Sequence, residues 1–207
     1  MTSEPEPRNG HSFDPAVRAL SSERHRSVTG AVPEMLPHAA QVRDAPDFRD
    51  AMARLGSGVG ILTTLDPIGR DCGLTVSAVS AVSLDPPLVL VCVKKDGFIH
   101  DAIYVADGWS LTFLAVDQLE VARYCARHRH PGARDDFSAW TTRRTDNGEL
   151  IFTGGVAAVE CAPYQFVDAG DHTIAIGEVV RVPADMRGET PLLHVDRAYV
   201  TPGDIVD

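Results

Sequence analysis

Between Gly73 and Cys92 the chain reads GLTVSAVSAVSLDPPLVLVC, and this stretch restricts the fold more than any other. Small and β-branched residues alternate up to Leu84, a pattern of a strand rather than a helix. Asp85-Pro86-Pro87 interrupts it, because proline has no N–H to donate to a ladder and a fixed φ. LVLVCVK then resumes as an almost unbroken apolar run, which predicts a second strand buried on both faces. Side chains alternate sides along a strand, so Thr75, Ser77, Val79 and Ala81 are expected on one face, and Val76, Ala78, Ser80 and Val82 on the other. Two readings of the hydroxyls remain open. Small side chains admit a flat ligand close to the backbone, with hydroxyls and main-chain N–H groups for its polar edge. The same residues can also pack a tight barrel and satisfy their own backbone. The segment alone slightly favours the packing.

The rest of the chain supports a barrel. A short helix is expected from an Asp47 cap, with Phe48, Met52 and Leu55 on one face and Gly56 and Gly58 ending it. VGILTTLD reads as a strand, and DPIGRD as a turn using Pro67 and Gly69. In DGFIHDAIYVAD, Phe98, Ile99, Ala102 and Ile103 fall at helical spacing. WSLTFLAV is a further strand, and Asp117 is expected to cap a helix through DQLEVARYCARH. Residues 128–149 are polar and irregular with anchors at Phe137 and Trp140, and predict a lid-like loop or an insertion. Three β segments follow, two of them joined by a hairpin at Asp168-Ala169-Gly170-Asp171. Roughly six or seven strands against two or three short helices, without regular crossovers, predict a mainly β barrel and not a doubly wound sheet. Residues 1–45, rich in Pro, Ser, Arg and Glu and lacking an apolar period, predict a disordered or draped arm; residues 46–207 form the domain.

Charge and motifs exclude several functions. With a formal net charge of −10 over 207 residues, broad attraction to nucleic acid or an anionic membrane is not expected. No apolar run is long enough to span a bilayer, and MTSEPEPRNG lacks a signal-peptide layout, so a cytoplasmic protein is expected. Cys72, Cys92, Cys125 and Cys161 are scattered and read as small core residues. Cys125, His128 and His130 lie close together, but no second cluster completes a metal site and two arginines separate them, so no metal is expected. There is no G-x-S-x-G elbow, no P-loop and no G-x-G-x-x-G turn. Asp171-His172-Thr173, at a hairpin end, can present a histidine to a pocket on a barrel rim, although such a residue taken alone is more often a plain turn histidine.

Four landmarks in order (FRDAMARLGSGVGILTT, GLTVSAVSAVSLDPPLVLVCV, WSLTFLAVDQ and GDHTIAIGEV before PLLHVDRAY) resemble the flavin reductase-like family. This is the short-chain NAD(P)H:flavin oxidoreductase component of two-component flavin-dependent monooxygenases, and the resemblance covers about residues 48–200. It implies a split β-barrel of the FMN-binding type, a homodimer, and FMN or FAD reduced by NADH or NADPH for a partner monooxygenase. It implies that Thr75, Val76, Ser77 and Ala78 run beside the flavin ring, with Ser83 just beyond. Cys92, Val93 and Lys94 then lie toward the ribityl and phosphate side, with Lys95 following. His172 is the implied catalytic residue, flanked by Asp171 and Thr173. Two departures stand out: Lys94-Lys95-Asp96-Gly97 replaces the hydroxyls usual near the phosphate, and Thr112 stands where many members have Asn. Arg127, Arg129, Arg134, Arg143 and Arg144 make the 128–149 region basic, which suits either cofactor phosphates or, by preference, a solvated loop. The alternative function is a flavin- or ligand-binding split barrel without reductase activity, or with repurposed chemistry.

Overall fold

The computed structural model describes residues 46–127, 135–186 and 188–203. The expected N-terminal arm, His128, Arg129, His130 and Arg134 lie outside the described residues. The elements are α1 (Pro46–Ala53), β1 (Ser57–Gly58), β2 (Gly60–Leu65), β3 (Asp71–Val76), β4 (Val79–Leu84), β5 (Pro87–Lys94), α2 (Phe98–Val105), β6 (Trp109–Phe113), α3 (Leu119–Cys125), β7 (Thr142–Arg144), β8 (Leu150–Phe152), β9 (Ala157–Ala169), β10 (His172–Arg181), β11 (Leu193–Val195) and β12 (Ala198–Val200). Seven strands form one antiparallel sheet in the order β3-β2-β6-β9-β10-β5-β4, while β1-β11-β12 and β7-β8 form small accessory sheets.

The strand expected over residues 73–84 is in fact two. β3 ends at Val76, β4 begins at Val79, and the two occupy opposite edges of the seven-stranded sheet. Laid flat, such a sheet would hold its outer strands about 29 Å apart. The three residue steps from Val76 to Val79 reach at most about 11 Å. The sheet is therefore rolled until its edges nearly meet, with Ser77 and Ala78 bridging the gap. That is a split β-barrel, mainly β with short helices, as expected from the sequence.

The rolled sheet encloses Leu62, Cys72, Val76, Val89, Val91, Val93, Trp109, Leu111, Phe166 and Ala175, and Ile99, Ala102 and Ile103 of α2 pack into the same core. Burial of each large aliphatic side chain contributes about 1.5–3 kcal/mol. A second core lies on the outer side of β2 and β6, where Ile61 and Leu114 meet Val121, Ala122 and Cys125 of α3 and Phe137, Leu150 and Phe152. The region expected as a loop or insertion therefore ends in a β7–β8 hairpin, with Thr142 opposite Phe152, because Phe137 and Phe152 need that apolar cover. Asp117 does not cap α3. It sits in a 3-10 turn, Val116–Gln118, where Gln118 Oε1 accepts the Ala115 N–H at 3.1 Å. α1 starts one residue before Asp47, and Phe48, Met52 and Leu55 are exposed.

The β2–β3 turn is held by a carboxylate that accepts three hydrogen bonds. Asp66 Oδ1 accepts the N–H groups of Ile68 (3.0 Å) and Arg70 (2.8 Å), and Oδ2 accepts Arg70 Nε (2.6 Å). Burial pushes its pKa up, but the Arg70 and Ile68 hydrogen bonds outweigh this and hold it below the ordinary carboxylate value of 3.8. Since the folded value lies below the unfolded one, this stabilisation is complete above about pH 4 and is lost as pH falls through the folded value. The melting temperature should consequently fall more steeply below about pH 4 in the wild type than in Asp66→Asn. Parallel acid limbs would count against this role.

Candidate functional site

Burial along β5 alternates. Val89, Val91 and Val93 point into the barrel, whereas Leu88, Leu90 and Cys92 on the outer face are only half-buried. The expectation of burial on both faces therefore fails for this strand: α3 and the β7–β8 hairpin cover the outside of β2 and β6, and among the described residues nothing equivalent lies over β5. The antiparallel register extends the half-covered rows across the sheet. Leu90 faces Ser80 and Ile176, Cys92 faces Ile174, which in turn faces Val167, and Lys94 faces His172. The outcome is an apolar outer wall that ends in a charged rim.

The bridge between the sheet edges lies beside this wall. Ser77 and Ala78 are exposed, and Ala78 O accepts the Cys92 N–H at 3.1 Å. At the rim, the two-residue turn Gly170-Asp171, with Gly170 at φ 64°, sets His172 opposite Ala169 and Lys94. The expected hairpin is present, and its positive φ is one that glycine adopts without strain. Lys95 N–H donates to Asp171 O at 2.9 Å, which ties the β5 end to the same hairpin.

Each basic group of the rim has an acidic neighbour. Lys94 Nζ lies 2.7 Å from Asp96 Oδ2, Lys95 Nζ lies 3.0 Å from Asp168 Oδ1, and His172 Nδ1 lies 2.8 Å from Asp171 Oδ1. The Asp96 hydrogen bond raises the Lys94 pKa above its ordinary value, and the His172 hydrogen bond lowers that of Asp171. With Nδ1–H directed at Asp171, Nε2 is the His172 atom that can meet a ligand.

The structure thus brings Ser77, Ala78, Cys92, Lys94, Lys95, Asp171 and His172 to one wall and its rim. The other residues singled out from the sequence are placed differently. Thr75 Oγ1 donates to Ala122 O of α3 at 2.6 Å, so its hydroxyl anchors a helix and does not line the wall. Val76 and Val93 belong to the barrel interior. Thr173 is buried, its Oγ1 2.9 Å from His100 Nε2 and 3.4 Å from Tyr104 OH, so it braces α2 from within. Ser83 sits at the far end of β4, where its Oγ accepts the Asp85 N–H at 3.2 Å. Its partner Leu88 is four residues, about 13 Å, along β5 from Cys92.

Several rim and wall residues were missed from the sequence. Leu90, Ile174, Ile176 and Val167 carried a signal in their alternation, but it could not say which face would be left uncovered. Asp96 and Asp168 carried none, because their pairing is set by tertiary placement. Arg143 and Arg144, considered for cofactor phosphates, turn elsewhere: Arg144 pairs with Asp71 at 2.9 Å, and Arg143 lies 3.6 Å from Glu160. Thr112 is fully buried and its Oγ1 accepts the Phe152 N–H at 3.2 Å, a fold role. Cys72, Cys125 and Cys161 are buried, and desolvation pushes the Cys72 thiol up to about 12.

An apolar wall beside a few polar groups is a surface on which a small flat ligand can lie. Residues 52–203 match the family model described as flavin reductase like domain, and the chain belongs to that family. It is 36% identical over 158 residues to an NADH:riboflavin 5'-phosphate oxidoreductase of Streptomyces pristinaespiralis, a match covering 75% of this chain and 86% of that one. It also resembles the solved Streptomyces globisporus NADH:FAD oxidoreductase in complex with NAD and FAD fragments. That match has 26% identity and a TM-score of 0.69, covering 84% of this chain and 99% of that one. A third likeness is to a nitrilotriacetate monooxygenase component B homolog from Mycobacterium thermoresistibile. Here the identity is 28% and the TM-score 0.66, with coverage of 78% and 92%.

Proposed function

We propose that this chain is an NAD(P)H:flavin oxidoreductase that reduces FMN or FAD and hands the reduced flavin to a separate monooxygenase. The observation that carries this reading is the uncovered outer wall of β5 and β10, flanked by Ser77 and Ala78 and ending at Lys94 and His172. The residues present fit a flavin. Ser77 and Ala78 leave room for a flat ring to approach the backbone, Leu90, Cys92, Ile174 and Ile176 supply an apolar floor, and the rim supplies cations and N–H donors for a polar tail. The cofactors supply the chemistry, hydride donation by the nicotinamide and acceptance by the flavin ring. The chain's task is to align the two and exclude water. Asp171 holds the His172 ring through Nδ1, which leaves Nε2 to hydrogen-bond a polar group of either cofactor. Val76, Val93 and Thr173 support the wall from behind.

The reading includes a homodimer. A second copy is supported by the unpaired edge of strand β4, which carries the exposed Val82 and Leu84. Residues 46–207 are taken as the domain and 1–45 as an arm. The reading takes the location as cytoplasmic; separately, no described helix is long and apolar enough to cross a membrane. The test is NADH or NADPH oxidation followed with and without added FMN, FAD or riboflavin. Flavin-dependent consumption is expected. Its absence with both nucleotides, for a protein that is folded, would overturn the reading.

A further inference from the structure

We propose that a pocket beside the β7–β8 turn is a second binding site, for a small organic ammonium compound. The inference is independent of the flavin reading. The turn, Glu160 of β9 and the β10 end at Val180 and Arg181 enclose a pocket of about 240 Å³. It lies at the opposite end of β10 from His172, about 30 Å along the strand. Two carboxylates that line it are almost fully buried: Glu149 is 4% and Glu160 6% exposed. Gly108 leaves room for the first, since a Cβ there would sit 2.6 Å from Glu149 Oε1. The positive charge around this pair is incomplete. Glu149 Oε2 accepts the Thr145 hydroxyl, and no basic group among the described residues pairs with it. Glu160 Oε1 is buried and accepts no hydrogen bond among the described residues. Arg143 stands 3.6 Å from that oxygen, and Arg181 3.5 Å from Oε2. Both guanidiniums are also drawn outward, Arg143 to Asp185 at 3.5 Å and Arg181 to Asp146. Four carboxylates (Asp146, Glu149, Glu160 and Asp185) thus share two guanidiniums. A carboxylate oxygen taken from water without a donor is costly, and a ligand bringing N–H donors and a positive charge supplies both. An ammonium suits the pocket better than a bare metal ion. Among the described residues no three His, Cys, Asp or Glu side chains converge to hold a metal. Val180 adds an apolar wall, against which a short alkyl chain can lie.

The experiment is to titrate n-propylammonium chloride into the isotope-labelled full chain and follow its backbone amide signals by NMR. Propan-1-ol, sodium propionate and magnesium chloride are titrated in parallel. Propylammonium should saturate with a Kd of about 1 mM. Its shifts should centre on Asn147, Glu160 and Val180 and leave Cys92 and His172 unmoved. Glu149→Gln and Glu160→Gln keep the side-chain shape and should each weaken binding by roughly 10-fold, the loss of one hydrogen bond to a charged group. Should either variant fail to fold, the wild-type titrations decide alone. Equal shifts with propan-1-ol would reduce the pocket to an apolar crevice and overturn the inference. Saturation by propionate, or by magnesium in place of propylammonium, would overturn the ligand class. So would the absence of saturable shifts at these residues, or undiminished affinity in both folded variants.

Discussion

Gly177→Ala is expected to lower the free energy of unfolding by about 3 kcal/mol, at the upper end of what overpacking a core costs. A Cβ at residue 177 would sit 2.3 Å from Trp109 Cζ2 and 2.9 Å from Cys161 Cβ. Neither neighbour can retreat. Trp109 is 1% exposed inside the barrel, and its Nε1 is buried without a hydrogen-bond partner, so packing alone fixes the ring. Cys161 Cβ is fixed to the β9 backbone, which pairs with Trp109 across the sheet. The site also adjoins an irregularity: Ile176 pairs with Gln165 and Gly177 with Pro163, so Tyr164 is the extra residue of a bulge. Pro163 has no N–H for the ladder, so a bulge is tolerated there. Urea unfolding should show a lower midpoint for Gly177→Ala, whereas Gly58→Ala, whose Cβ would meet nothing within 4 Å, should stay near the wild type. Equal midpoints for the two variants would refute the packing argument. Shrinking the indole, as in Trp109→Leu, should reduce the added cost of Gly177→Ala, because the two residues share one space.

His172→Ala should slow flavin reduction in a single turnover by roughly 10- to 100-fold, the equivalent of about 1.5–3 kcal/mol for a hydrogen bond to a polarised partner. His172 stands at the rim, opposite Lys94, with Nδ1 held 2.8 Å from Asp171. Anaerobic stopped-flow mixing of the flavin-loaded protein with NADH separates the reductive step from product release. Thr173→Val is an informative contrast: its hydroxyl bonds His100 inside the barrel, so stability should fall while the loss of rate per bound flavin stays smaller. A His172→Ala enzyme with an unchanged reduction rate would remove this residue from the site.

The sequence showed its elements more clearly than their arrangement. The hairpin at Gly170 was legible because a two-residue turn with positive φ has a strong local signature. The helix Phe98–Val105 was legible because Ile99, Ala102 and Ile103 recur on one face, and all three are buried. The split at Ser77 was not legible. Alternation continues straight through it, and only the rolling of the sheet sends Val79 to the opposite edge. For the same reason Thr75 looked like a wall residue: which face of β3 lies under α3 is settled by packing 47 residues downstream, at Ala122. Of the 142–152 hairpin, Leu150–Phe152 was read as the start of a β segment, while Thr142–Arg144 was hidden because that strand is short and lies in an otherwise polar stretch.

The link at Ser77-Ala78 has a mechanical consequence for the wall beside it. As a hydrogen-bonded object the barrel is open, since β3 and β4 do not pair. As a covalent object it is a closed hoop, and two small residues set its circumference. Insertion of a residue there would let the edges part and flatten the curve of the neighbouring face, without changing a single side chain on it. The shape offered to a ligand is thus governed by chain length at one point, much as a strap's last hole governs its girth.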